Sequence, residues 1–244
     1  MWNVSSAIAC ICNIRPPACY EYWRTETLFL GTVSSVIQPD ASSFESVLID
    51  VSENFRGMDS DNARTFNYDH SCAHSFEKGE TYLFYGIPEK EDSRQFGTGL
   101  CTRTAEVEHA SDDLEYLRAV KEGESLYWIW GTISEIGYEP PMSGIRAEVL
   151  GSHPKLEGVS DNNGNIKFDV GSPGRYRVRV HLPEGRSDIN FLSRNDLELW
   201  EENRKQIVGG KFGGNQPYVD YELDVKANRC GWFDVSIPRR EVNK

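Results

Sequence analysis

Short runs of β-branched and aromatic residues, cut at close intervals by Gly, Pro, Asn and Asp, fill this chain. That pattern constrains its fold more than any other feature. The run from Thr27 to Ile37 is too short and irregular for an amphipathic helix and reads as a strand. Ser46–Val51, Glu80–Ile87 and Gly97–Arg103 follow as further extended runs, the last carrying Cys101. Gln38-Pro39-Asp40, Arg56-Gly57-Met58-Asp59, Lys78-Gly79 and Pro88 separate them as turns. The period changes once in this half. Ser111 to Val120 opens on a capping residue and two acidic groups, places Leu114, Leu117 and Val120 on one stripe, and stops at Gly123. This is a short helix whose stripe suits the open end of a sheet.

A new β pattern begins at Leu126-Tyr127-Trp128-Ile129-Trp130, so the boundary between two domains falls between Glu122 and Ser125. A length of 244 residues fits two domains of ordinary size. Further strands are expected near Ile145–Leu150, Asn165–Val170, Arg175–His181, Val219–Val225 and Gly231–Ile237. Asp188–Gln206 reads as a helical insert anchored by Leu197, Leu199 and Trp200, and Gly209–Gly214 after it as a flexible loop. That glycine run is no phosphate cradle, because no strand precedes it and no Lys-Ser or Lys-Thr follows.

Charge narrows the partners. The net charge is −12, and residues 1–125 carry 10 basic against 21 acidic groups, whereas residues 126–244 carry 16 against 17. With no basic cluster to neutralise phosphates, nucleic acid is excluded. No stretch approaches the roughly 20 apolar residues of a membrane span. Ala7-Ile8-Ala9 ahead of Cys10 is the small-x-small pattern that signal peptidase cuts after, so residues 1–9 read as the remnant of a signal peptide.

The six cysteines are Cys10, Cys12, Cys19, Cys72, Cys101 and Cys230. Five fall in the first half, a clustering expected of disulfides. A metal site at Cys10-Ile11-Cys12 is the rival reading, disfavoured because zinc ribbons need a second close pair. Oxidised cysteines place the protein in an extracellular or periplasmic compartment.

Catalytic signatures are scarce. Gly-x-Ser-x-Gly, His-Glu-x-x-His and the dinucleotide fingerprint are missing from the sequence. His70 and His74 flank Cys72 but lie in loop-like context. Asp161-Asn162-Asn163-Gly164-Asn165 resembles a calcium loop until its twelfth position, which is Ser172 rather than an acid; an Asn-Gly hairpin turn accounts for it better. Glu89, Glu91 and Asp92, and the pair Glu106 and Glu108, read as solvated acidic faces. The expectation is therefore no enzyme, no catalytic residue, no metal ligand and no cofactor.

The Cys-x-Cys opening at Cys10 and Cys12, Phe29-Leu30-Gly31-Thr32-Val33 on the first long strand, and single cysteines at Cys72 and Cys101 resemble the netrin-like module of the tissue inhibitors of metalloproteinases. The resemblance spans residues 10–122 and implies a five-stranded OB-type barrel with one packed helix. It also implies Cys10–Cys72 and Cys12–Cys101 disulfides. In that family the amine and carbonyl of the N-terminal cysteine chelate a protease zinc while the next side chain enters the specificity pocket. Here those residues are Cys10 and Ile11, held by Cys12.

Residues 126–244 are similar to the carboxypeptidase regulatory-like, transthyretin-type β-sandwich. The motifs are Gly131, Gly144-Ile145-Arg146-Ala147-Glu148-Val149, Ser160-Asp161-x-x-Gly164-x-x-x-Phe168 and Pro173-Gly174-x-Tyr176-x-Val178. Phe168 and Tyr176 are expected to face one core. By the same resemblance Cys230 precedes the last strand, leaving Cys19 and Cys230 either bridged to each other or as two free thiols.

The whole reads as an all-β, exported, non-enzymatic binding protein with a protein partner. A first alternative is a metalloprotease inhibitor acting on a zinc metalloprotease through Cys10. A second is an enzyme with an unrecognised non-local site near His70 and His74.

Overall fold

The structure, a computed structural model, describes residues 16–37, 45–67, 74–89, 92, 94–135, 141–183, 205–211 and 216–237. These fall in two units, Met1–Glu124 and Ser125–Lys244.

In the first unit, β1 (Thr27–Ile37) is long enough to pair on both sides, antiparallel with β2 (Glu45–Arg56) and with β4 (Thr81–Pro88). Three register shifts along the β1–β2 ladder bend the strand as closure requires. β2 pairs with β3 (Asn62–Asn67), β3 runs parallel to β5 (Gln95–Gly97), and β5 returns antiparallel to β4. The order β1-β2-β3-β5-β4-β1 is a closed five-stranded barrel of OB type, with β6 (Ala105–Glu106) added beside β4.

Alternate positions point inward. Phe29, Val33, Val47, Ile49, Ala63, Phe84 and Phe96 fill the barrel with Met58, Phe76 and Tyr82. Phe29 stacks on Phe84 with ring centroids 5.0 Å apart and meets Phe96 edge-on at 5.2 Å. This interior is packed with side chains. Leu28 and Leu83 alternate with Phe29 and Phe84 and project through the other side of the wall, yet both are fully buried. The helix α2 (Ser111–Lys121) explains that second layer. Its Asp113 meets Tyr85 of β4, and its Arg118 and Lys121 meet Glu53 of β2, so it crosses the outside of β1, which lies between those strands. Each leucine so covered contributes about 1.5–3 kcal/mol.

Leu114 and Leu117 are buried as the stripe predicts while Val120 is only half-buried, and Tyr116 and Asp113 are buried too. The helix starts differently from expectation. Ala110 holds the cap position without a side-chain hydrogen bond, and Ser111 is already helical. Its end is as expected: Gly123 sits at φ +83°, where its N–H reaches the Val120 carbonyl at 3.1 Å.

The second unit has two sheets. One has β7 (Trp128–Glu135) at its centre, antiparallel to β10 (Asn165–Asp169) and parallel to β14 (Gly231–Ile237). The other has order β12-β13-β11-β8-β9: β12 is Ile207–Lys211, β13 Tyr218–Val225, β11 Gly174–His181, β8 Arg146–Leu150 and β9 Leu156–Val159. Inward residues of both sheets share one buried cluster, including Ile129, Phe168 and Phe233 from the first sheet and Val149, Val178 and Tyr221 from the second. Phe168 belongs to this core and Tyr176 packs against it.

Several expectations are corrected. Of the run Gly97–Arg103 only Gly97 is in a strand, as the end of β5; the rest is a turn region, because its threonine hydroxyls take the backbone groups a ladder would use. The Gly209–Gly214 loop begins inside β12, where Gly210 pairs with Val219 and Lys211 with Tyr218. The Asn163-Gly164 turn does not close a hairpin; it carries the chain from β9 in one sheet to β10 in the other. Asp161 Oδ1 accepts the Asn163 and Asn165 N–H groups at 2.8 Å each, and Gly164 at φ +72° leaves no room for a side chain beside the Ile133 carbonyl. The expected helical insert over 188–206 lies almost wholly outside the described residues.

Candidate functional site

The first unit carries a polar constellation where three separate pieces of chain meet. It starts with the Thr98–Thr104 segment, which leaves β5 and carries Cys101. Thr98 donates to the Tyr85 carbonyl at 3.0 Å and lies 2.7 Å from the Thr104 hydroxyl. Thr102 donates to the Gly99 carbonyl at 2.8 Å. Thr104 Oγ1 accepts the Tyr85 N–H at 3.0 Å. The segment is thus fastened to β4 through side chains, a substitute for strand pairing.

Arg103 sits inside that fastening. Its Nε donates to Asp113 Oδ2 at 2.8 Å, its Nη2 donates to Asp113 Oδ1, and its Nη1 donates to the Pro16 carbonyl at 2.7 Å. The Tyr85 hydroxyl donates to the same Asp113 Oδ2 at 2.8 Å. Asp113 lies in the first turn of α2, where the helix dipole favours a carboxylate. Only 19% of the Arg103 side chain and 6% of Asp113 are exposed, so a bidentate pair here is shielded from solvent competition. Burial, then the Asp113 charge, push the Tyr85 phenol well above its ordinary value, which keeps it a donor. Burial pulls the Arg103 guanidinium down, but Asp113 and Tyr85 together more than offset this, so it remains a cation.

Pro16 and Pro17 are buried and enter α1 (Ala18–Glu21), whose Cys19 is 2% exposed. Arg56 donates to the Tyr22 carbonyl at 2.6 Å and lies over the Tyr22 ring at 5.2 Å, while Tyr22 meets Tyr116 of α2 edge-on at 6.0 Å. The chain entering the barrel from the N-terminal side is therefore held by β2, α2 and the Cys101 segment together.

Cys10, Ile11, Cys12, His70 and Cys72 lie outside the described residues, and with them the pairings Cys10–Cys72 and Cys12–Cys101. Cys19, Cys101 and Cys230 are each disulfide-bonded, which removes the free-thiol alternative for Cys19 and Cys230. His74 is not in a loop free of contacts: it stacks on Phe76 at 4.6 Å and meets Tyr82 edge-on at 5.8 Å.

Of the acidic faces, Asp92 is bound by Arg94 at 3.1 Å through each carboxylate oxygen, and that hydrogen bonding holds it down to about 2. Glu91 lies outside the described residues. Glu106, Glu108 and His109 each bring a ligand atom within 4.8 Å of the others. Among the described residues they are the ones most able to hold a divalent cation, on a solvated rim where water competes for it.

A second charged constellation covers the outer face of the five-stranded sheet. Arg177 and Arg179 of β11 both reach Asp220 of β13, at 2.8 Å each. Arg179 also lies 3.8 Å over the Tyr218 ring, and His181 meets Glu148 of β8 at 2.9 Å. Acids on one strand answer bases on the next, as cross-strand pairing favours. This face is an ionic lattice with most of its charge spoken for.

Arg103 and Asp113 escaped the sequence reading, for the link to Pro16 spans 87 positions. The one local signal is an acid in the first turn of a helix, which the helix dipole alone accounts for. Comparison of the chain with protein-family models gives no match, and comparison with curated proteins gives none either.

Proposed function

We propose that this is an exported, non-enzymatic binding protein that meets a protein partner through the segment preceding Pro16. The observation that carries this reading is the bond from Arg103 to the Pro16 carbonyl, backed by Asp113 and Tyr85. A segment that leaves the barrel from an anchored point loses less entropy on binding than a free tail does. The filled barrel interior favours a contact on the outside of the fold. The oxidised Cys19, Cys101 and Cys230 support an extracellular or periplasmic location. Among the described residues no helix is long and apolar enough to cross a membrane.

The same anchor favours one specific version of this reading, inhibition of a zinc metalloprotease. The α-amine and carbonyl of Cys10 would chelate the metal, Ile11 would enter an apolar pocket, and the Cys10–Cys72 and Cys12–Cys101 disulfides would hold the ridge. The second unit serves as a non-catalytic transthyretin-type sandwich, a reading supported by two sheets that share one core.

The test is mass analysis of the protein exported from its full-length precursor, with and without reduction, followed by titration against a metalloprotease catalytic domain. A chain beginning at Cys10 that titrates the protease stoichiometrically supports both readings. A chain that begins at Cys10 without inhibiting leaves the general one, and a partner cross-linked elsewhere on the barrel overturns it.

A further inference from the structure

We infer that Arg103 is a positioning residue that sets the exit geometry of the N-terminal segment, an inference that deepens the binding reading and rests on it only for its consequence in affinity. Four groups form a closed ring of bonds. The Tyr85 N–H donates to Thr104, Thr104 is the chain neighbour of Arg103, the Arg103 head grips Asp113, and the Tyr85 hydroxyl donates to Asp113. Arg103 is thereby fixed at both its backbone and its guanidinium. One donor leaves the ring, Nη1, and it goes to the Pro16 carbonyl.

Pro16 and Pro17 have no N–H to donate, so polar ties at this point must use carbonyls. The Pro17 carbonyl accepts Tyr20 and Glu21 in the first turn of α1, whereas the Pro16 carbonyl goes to Arg103. A planar guanidinium can serve Asp113 by two donors and Pro16 by a third; a lysine ammonium at this place can keep the charge pair but not the full set.

The test compares two conservative variants of the full chain. Arg103→Lys keeps a cation beside Asp113 and loses the Pro16 bond. Tyr85→Phe loses a hydrogen bond to the same Asp113 and keeps the Pro16 bond. Amide exchange at Tyr20, Glu21 and Tyr22, in the turn that Pro16 leads into, read by mass spectrometry, is expected to accelerate at least tenfold in Arg103→Lys and to stay within twofold of wild type in Tyr85→Phe, even where Tyr85→Phe has the lower Tm. Should Arg103→Lys fold poorly, the paired change of Arg103→Met with Asp113→Leu removes both charges and is expected to release the segment in the same way. Exchange that follows Tm alone in all variants overturns the inference.

Affinity for a zinc metalloprotease catalytic domain, measured on the same proteins, separates the two claims. A tenfold or greater loss confined to the variants lacking the Pro16 bond supports both. Faster exchange with unchanged affinity, or a wild type that does not bind the probe, keeps the positioning role and defeats the reading of this segment as the protease contact.

Discussion

Phe233 of β14 fills the space where a side chain on Gly131 of β7 would stand. A Cβ built there would also press on Ile166 of β10 at 2.8 Å. All three strands of the smaller sheet therefore meet at this glycine. Gly131→Ala is expected to lower stability by about 1–3 kcal/mol through overpacking. Urea unfolding checks this, and an unchanged midpoint would contradict it.

Beside Phe233, Asp234 points to the opposite side of the sheet, in register with Thr132, and burial pushes its carboxyl up to about 7. An unfolded Asp titrates near 3.9, so between about pH 4 and 7 the folded chain keeps a proton that the unfolded chain has lost. Stability therefore falls as pH rises through that window. Asp234→Asn is expected to flatten this slope and to add about 2 kcal/mol at pH 7, roughly 4 kcal/mol of ionisation penalty less the cost of a buried amide. Urea midpoints from pH 5 to 8 are the measurement, and parallel curves for the two proteins would refute it.

Asp220 behaves in the opposite sense. Burial raises its carboxyl, but Arg179 and Arg177 more than compensate and hold it below the usual range. Its contribution is present above the unfolded value near 3.9 and is lost as pH falls through the lower folded value. Asp220→Asn is expected to cost about 1–2 kcal/mol at pH 7, discounted because Arg177 is half-exposed, with the difference from wild type shrinking below about pH 4.

The contrast between these carboxylates shows what was legible in the sequence. Strand positions such as Val219–Val225 and Gly231–Ile237 follow from alternation, and they coincide with β13 and β14. Which acid meets an arginine does not, because pairing across β11 and β13 depends on register. Two of the strands that sequence reading misses are of the same kind. β3, Asn-Ala-Arg-Thr-Phe-Asn, and β12, with its two glycines, have weak intrinsic preference and are extended because a neighbour pairs with them. The anchor at Arg103 is hidden for a related reason, since its hydrogen-bond partners Asp113 and Pro16 lie on opposite sides of it in the chain, 10 and 87 positions away.

Cys19, Cys101 and Cys230 are expected to resist alkylation in denaturant without reductant. Peptide mapping under those conditions is expected to return each of the three in a disulfide-linked pair of peptides, Cys101 with Cys12. Labelling of any of the three thiols before reduction would contradict their oxidised state.

The central claim is that the segment held by Arg103 makes the contact with a partner. Its most direct test titrates a zinc metalloprotease catalytic domain with chain beginning at Cys10, first with a free α-amine and then with that amine acetylated. Stoichiometric inhibition by the free form, lost by a hundredfold or more on acetylation, is the predicted result. Equal binding by both forms would contradict the claim that this end of the chain is the contact.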